Sequence, residues 1–313
     1  MPTIVLKIDV DTYRGTQEGV PNLVRIFKQH QAGATFLFSL GKDHTGWAMR
    51  RVFRPGFFSK VSRTSVLEHY GFKTLMYGVA LPAPHIGQEC VEVMRATRRA
   101  GFECGIHSWD HVEWHDKVRK KDAAWTARQM QLAAIQFQEI FGVPSKTHGA
   151  AGWQMNEHAF TQLDQMGMLY ASDGRAALND DGNLSNPAAG PYRLQGERNA
   201  FHCIQMPTTL PTIDELLGRE INGKTLTTET IGAHLLELTQ EPRDHVFTLH
   251  AELEGQKLAP ILIELLEGWS EQGYQCISMS QYYANIKDQE LPLHPIAWTQ
   301  MPGRSGDVFA LTA

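Results

Sequence analysis

Cysteine is scarce in this chain of 313 residues: Cys90, Cys104, Cys203 and Cys276 stand far apart and form no Cys-x-x-Cys pair. That speaks against a disulfide framework and suits a reducing compartment. Positive charge is short as well, and the net charge of -5 argues against a nucleic-acid partner. No window approaches the ~20 apolar residues that a bilayer-spanning helix needs. Residues 1–10 lack the basic lead and small-residue cleavage site of a secretory signal, so a cytoplasmic location is expected. Repeats, low-complexity tracts and dividing linkers are missing too, and the chain reads as one domain over 1–313. Its 42% hydrophobic and 20% charged residues describe an ordinary globular protein able to bury a full core.

Strand-like and helix-like segments alternate along the chain. Residues 3–10 form an apolar, β-branched run, Val20, Leu23, Val24 and Phe27 follow with helical spacing, and 34–40 is a second buried-strand candidate. Short apolar segments recur at 102–106, 146–148, 168–171, 202–206, 246–249 and 276–279. The clearest helix starts after Asp122, an N-cap residue type, and runs through Met130, Ala133, Phe137 and Phe141 to stop at Gly142, with Pro144 beyond. This alternation predicts an α/β fold on a mostly parallel sheet, and seven or eight such units predict a distorted (β/α) barrel.

Reactive side chains gather at the predicted strand ends. Asp9-Val10-Asp11 closes the first strand, His107-Ser108-Trp109-Asp110-His111 the third, Asp173 follows 168–171, and His250 ends 246–249. With 14 His and 14 Asp in the chain, roughly 0.6 chance pairs of each spacing are expected, and His111 with His115 does repeat the four-residue step. Position carries the weight that spacing alone does not. In a barrel the strand C-termini converge on one face, so five ionisable groups from four strand ends would share one mouth. A carboxylate, two imidazoles and a spare carboxylate are the parts of an open divalent-metal site with its own base. His115 is expected to stay outside the ligand set, and Trp109 and Trp114 to serve packing.

The Asp-x-Asp that ends the first strand, His-Ser-x-x-His and the late Leu249-His250-Ala251-Glu252 together resemble the polysaccharide-deacetylase family of metal-dependent N-deacylases, which fold as a distorted (β/α) barrel. The resemblance extends over essentially the whole chain. Asp9-Val10-Asp11-Thr12-Tyr13-Arg14-Gly15 and Thr147-His148-Gly149-Ala150-Ala151-Gly152-Trp153 bring it nearest to members that deformylate a lipid-linked formamido sugar. It implies that Asp11, His107 and His111 hold one divalent ion: zinc first, with cobalt, nickel and manganese also suited to an Asp-His-His set. It implies Asp9 as general base, His250 as general acid, and a backbone N–H of the turn containing Ala151 and Gly152 as oxyanion donor. The implied substrate is a polyprenyl-phosphate aminosugar, whose freed amine would modify lipopolysaccharide and lower its affinity for cationic peptides. Many members carry an arginine in the third motif that orients the catalytic aspartate, where this chain has His148-Gly149. Arg175, in Ser172-Asp173-Gly174-Arg175, is the expected substitute, with His148 and Asp173 beside the substrate and Arg14 on its phosphate.

The long connection at about 42–84 is a basic, aromatic insertion. Lys42, Arg50, Arg51, Arg54, Lys60, Arg63 and Lys73 stand against Asp43 and Glu68, a local +5 in a chain of net -5, with Trp47, Phe53, Phe57 and Phe58 interleaved. Loops beyond ~15 residues without structure of their own are usually functional or disordered. Each basic residue contributes ~1 kcal/mol near an anionic surface, and inserted aromatics add a second attachment. Peripheral docking on the inner face of the cytoplasmic membrane is therefore expected through Trp47, Arg50, Arg51, Phe53, Arg54, Phe57, Phe58 and Lys60; a lid packed on the barrel is the alternative. Three functional readings compete: a metal-dependent deformylase of the lipid-linked sugar, an amidohydrolase of a soluble acetylated sugar or cyclic amide, and a non-catalytic sugar- or lipid-binding relative. The insertion favours the first over the second, and the presence of both Asp9 and His250 disfavours the third. Nothing in the sequence bears on oligomeric state.

Overall fold

The apolar run at the N-terminus becomes β1 (Thr3–Val10), the second strand in the order of a curled parallel sheet. The computed structural model describes residues 1–48, 71–196, 199–304 and 306–311. Around the curl the order is His245–His250, β1, β2 (Thr35–Ser39), β3 (Glu103–Ser108), β4 (Thr147–His148), β5 (Tyr170–Ala171) and Ile204–Gln205, with Gln275–Ile277 also pairing to the start of β1. The expectation of a distorted barrel of seven or eight strands holds. Its seam, however, is closed by isolated backbone and side-chain hydrogen bonds and not by a strand ladder. Thr209 N–H donates to the Val246 carbonyl (3.0 Å), and the Thr208 and Thr248 hydroxyls lie 2.7 Å apart.

Successive residues of a strand face opposite sides, and β1 uses both. Ile4, Leu6, Ile8 and Val10 face outward into the main core, with Leu23, Ile26 and Phe27 of the helix Val20–Gln29 and with Phe36 and Phe38 of β2. The inward file is Val5, Lys7 and Asp9, continued past the strand by Asp11. Val5 packs with Tyr170, Ile204, Met206 and Val246, which come from both limbs of the curl, so the floor of the barrel is apolar. Complete burial of side chains of this size stabilises by ~1.5–3 kcal/mol each. Above that floor the file turns charged, toward the C-terminal face.

The helix Ala123–Phe141 has the ends its sequence marks. The Asp122 carboxylate accepts from Trp125 N–H (2.9 Å), a cap worth ~1 kcal/mol. Gly142 ends it at φ 74°, a left-handed conformation that a side chain would strain. Met130, Ala133, Phe137 and Ile140 form the buried face. Three short strands went unmarked by apolar runs: Trp298–Gln300, Asp307–Leu311 and Arg175–Ala176 form a separate small sheet, in which the C-terminal strand returns to lie parallel to Arg175–Ala176. Among the described residues no helix is long and apolar enough to cross a membrane.

Candidate active site

Asp11, His107 and His111 meet at the C-terminal mouth of the barrel, each offering a ligand atom within 4.8 Å of the others. Asp11 Oδ1 lies 3.1 Å from His107 Nε2, and Oδ2 lies 3.4 Å from His111 Nε2. The local fold explains the convergence. His107 is near the end of β3, and Asp110 caps the helix His111–Lys117 by accepting from Glu113 N–H, which sets the His111 ring 5.3 Å from that of His107. Asp11 and His107 are buried, whereas the His111 side chain keeps 23% of its surface, so the cluster opens to solvent on one side.

Buried polar atoms are nearly always partnered, and one left unpaired costs ~1–3 kcal/mol. Here Asp9 Oδ1, Asp11 Oδ1 and both ring nitrogens of His107 are buried without a hydrogen-bond partner. A divalent cation would take Asp11 and His107 Nε2 together with His111, while Nδ1 of the His107 ring points away from it, with Asp9 Oδ1 3.6 Å off; one carboxylate plus two imidazoles is a suitable donor combination. The residues fit a metal. Burial would raise the Asp11 carboxyl, but His111, His107 and His250 together hold it well below the usual carboxylate range.

Asp9 and His250 face each other across the β1 pairing with His245–His250, where they are register partners. Asp9 Oδ2 accepts from Lys7 Nζ at 3.0 Å, and Oδ1 lies 3.6 Å from His107 Nδ1. Burial opposes the charged form of His250, but Asp214, Asp11, Glu254 and Asp9 outweigh it and raise the imidazole above its ordinary 6.5. His250 N–H donates to Glu254 Oε2 (2.7 Å). Glu252 Oε1 accepts from the N–H groups of Asp11 and Thr12 and from the Thr12 hydroxyl at 2.8–3.0 Å, which fixes the backbone that presents Asp11. Burial first, then Asp11, pushes Glu252 up to about 8, and burial pushes Glu254 up to about 7.

The other predicted residues divide. Arg14 sits at the mouth, its Nε donating to Glu18 (2.8 Å), with Gly71 close against its guanidinium. Ala151 and Gly152 lie in the tight turn after β4, and the His115 ring packs onto Gly152 outside the ligand cluster. Trp114 is buried and donates to the Gln154 carbonyl, and Trp109 packs edge-on to His85. His148 is buried with Nδ1 2.6 Å from Asp173 Oδ1.

Two of the expected residues are fully buried and engaged elsewhere. Asp173 is completely buried and braces His148 and Gln205, away from any surface a substrate could touch. Arg175 is completely buried as well and does not reach Asp9. Its guanidinium forks onto Glu215, with a second contact at 3.0 Å, and lies 4.7 Å from the Trp153 ring. A buried guanidinium requires a carboxylate, and Glu215 supplies it. Burial would raise Glu215, but Arg175 and Arg304 bring it down to about 2.

The insertion also reads differently. Trp47 is committed to packing: its ring stacks on His44 at 3.7 Å and its Nε1 donates to the Gly78 carbonyl. Arg50, Arg51, Phe53, Arg54, Phe57, Phe58 and Lys60 lie outside the described residues. Phe72 (71% exposed), Val79 (63%) and Leu81 present apolar surface instead. They sit on a segment anchored to the mouth. Tyr77 packs edge-on to Tyr13, and His44, beneath Trp47, contacts Asp110, the cap of the His111 helix. The sequence also passes over Lys7, although a lysine two residues before Asp9 in a buried strand must share its face.

No family model matches the chain. It is 31% identical over 301 residues, 96% of this chain and 92% of the other, to a probable 4-deoxy-4-formamido-L-arabinose-phosphoundecaprenol deformylase ArnD of Shewanella sediminis. A protein of the same description from Wigglesworthia glossinidia brevipalpis is 28% identical over 300 residues, 93% of this chain and 96% of that one. Among solved structures, a polysaccharide deacetylase from Mycobacterium smegmatis shares the fold with a TM-score of 0.61 at 18% identity, covering 95% of this chain and 93% of its own. Fold and relatives define a hydrolase of amide bonds on the polysaccharide-deacetylase scaffold, with a donor cluster suited to a divalent ion at its mouth. Within that class, the chain belongs to the ArnD deformylase family.

Proposed function

We propose that this chain removes the N-formyl group of undecaprenyl-phosphate 4-deoxy-4-formamido-L-arabinose, giving formate and the 4-amino sugar lipid used to modify lipopolysaccharide. The observation that carries the reading is the cluster of Asp11, His107 and His111 beside a facing Asp9 and His250, in a chain 31% identical over almost its full length to a probable deformylase of that substrate.

Asp11, His107 and His111 would hold the ion, which when bound supplies Lewis acidity toward a water and the formyl oxygen. Asp9 takes the proton of the attacking water. A backbone N–H of the turn containing Ala151 and Gly152 donates to the oxyanion that forms on the formyl carbon. As the C–N bond breaks, protonated His250 transfers its proton to the amine nitrogen. The raised pKa of His250 supports that role, because an alkylamine leaves poorly unless it is protonated. Incubation of the zinc-loaded protein with the lipid-linked formamido sugar should release one primary amine and one formate per sugar, and chelator should abolish both. Turnover of an acetamido sugar with none of the formamido lipid would overturn the substrate assignment.

For a lipid-linked substrate the reading includes peripheral docking on the inner face of the cytoplasmic membrane. Exposed Phe72, Val79 and Leu81, with Lys73 among them and Arg14 at the adjacent mouth, support it. Phe72→Ser combined with Val79→Ser is expected to weaken flotation with anionic vesicles about tenfold, since removing inserted apolar groups costs ~1–2 kcal/mol. Turnover of detergent-dispersed substrate should stay within about twofold. Flotation equal to the parent's would refute this surface as the docking face.

A further inference from the structure

We infer that Lys7 is the positioning residue for Asp9, an assignment that rests on the proposed role of Asp9 as the base. Two residues apart on β1, the side chains share the inward face, and Lys7 Nζ meets Asp9 Oδ2 at 3.0 Å. Lys7 has 0% of its surface exposed, and among the described residues Asp9 is its hydrogen-bond acceptor. Its ammonium lies 5.1 Å from the face of the buried Trp153 ring, which closes that side. The fold is hollowed to admit the lysine stem. A β-carbon on Gly149 would stand 2.8 Å from Lys7 Cε and 2.4 Å from Leu37 Cδ1, so a side chain there would displace the lysine stem or Leu37.

The consequence falls on the two carboxylate oxygens. The terminal torsion of an aspartate is broad and nearly two-fold, so the group turns unless something pins it. Lys7 pins Oδ2. That leaves Oδ1, buried and without a hydrogen-bond partner, as the oxygen turned toward His107, 3.6 Å from its Nδ1. The carboxylate thereby presents one defined oxygen to a water proton. Arg175, the residue expected to do this from the sequence, is held by Glu215 instead.

The test is a double-mutant cycle read by turnover, zinc content and melting of the metal-free protein. Lys7→Met is expected to lower kcat about 30- to 100-fold, with KM within about threefold and one zinc per chain retained. Lys7→Arg, which keeps a cationic donor, should stay within about tenfold of the parent. In an Asp9→Asn background, Lys7→Met should change residual turnover by less than about threefold, because the residue it positions is already disabled. An undiminished loss in that background, or Lys7→Arg as impaired as Lys7→Met, would overturn the assignment. Should Lys7→Met not fold, Lys7→Gln takes its place in the cycle. The melting points of the metal-free proteins supply an independent reading: the lysine substitution should cost several degrees less once Asp9 is Asn, and additive losses refute the link. A parent protein that fails to deformylate the lipid sugar would sink only the proposed function, since the melting cycle still tests whether Lys7 acts on Asp9.

Discussion

Asp11→Ala is expected to bind no zinc and to lose turnover by more than about 10³-fold, whereas Asp9→Asn should keep one zinc per chain and still lose about 10²–10⁴ in kcat. Both aspartates are buried and stand two residues apart at the end of one strand, so composition and burial do not separate them. Their neighbours do. Both Asp11 oxygens lie within 3.4 Å of imidazole nitrogens, His107 Nε2 and His111 Nε2, and removing that carboxylate leaves two neutral rings too weak to retain a dication. Asp9 instead faces His250 across the sheet and is tied to Lys7 on one side. Metal analysis after gel filtration, run beside a formate assay on each variant, separates the two losses. Zinc retained at one equivalent by Asp11→Ala would overturn the ligand set, and full turnover by Asp9→Asn would remove it as the base.

His250→Ala is expected to cost about 10²–10³ in kcat and to erase the alkaline limb of the pH profile. The sign follows from the direction of its shift. Four carboxylates, Asp214 foremost, outweigh burial and raise the His250 pKa above 6.5, which extends the acid form to higher pH than a free imidazole keeps it. In the proposed mechanism its proton is the one delivered to the leaving nitrogen. The kcat of the parent should therefore fall as pH rises through that elevated value, while the variant, already lacking the donor, should stay flat on that side. Initial rates at saturating substrate from about pH 6 to 10, with zinc content checked at each end, give the comparison. An alkaline limb that survives the substitution would assign the acid to another group.

Features decided by local chemistry were legible in advance. Residues 3–10 could hardly be other than a buried strand, and Asp122 and Gly142 bracket their helix as capping chemistry requires. Asp11, His107 and His111 could be expected to meet, and do, because the barrel gathers strand ends, which turns weak spacings into one cluster. What escaped depends on direction and distant partners. Arg175 follows a strand end just as the ligands do, yet its carboxylate partner is Glu215, forty residues on in a separate turn, and nothing nearby in the sequence announces that pairing. Asp173 was placed at the right end of the sheet, but its side chain points into protein. In 71–81 the hydrophobicity was visible and its orientation was not: Leu75 and Tyr77 are buried, while Val79 and Leu81 are exposed. Lys7 was hidden by its setting, a single charge within an apolar run, although the two-residue period of a strand ties it to Asp9.

The first strand carries oil-facing residues on its even positions and Lys7 and Asp9 on its odd ones. A one-residue slip against either neighbouring strand would exchange the two sets, sending the charges into the helix layer and isoleucines into the reaction chamber. Parity along this one stave is what fold and chemistry hold in common. A single inserted or deleted codon between the start of the strand and Lys7 would therefore forfeit both at once, however conservative the residue involved.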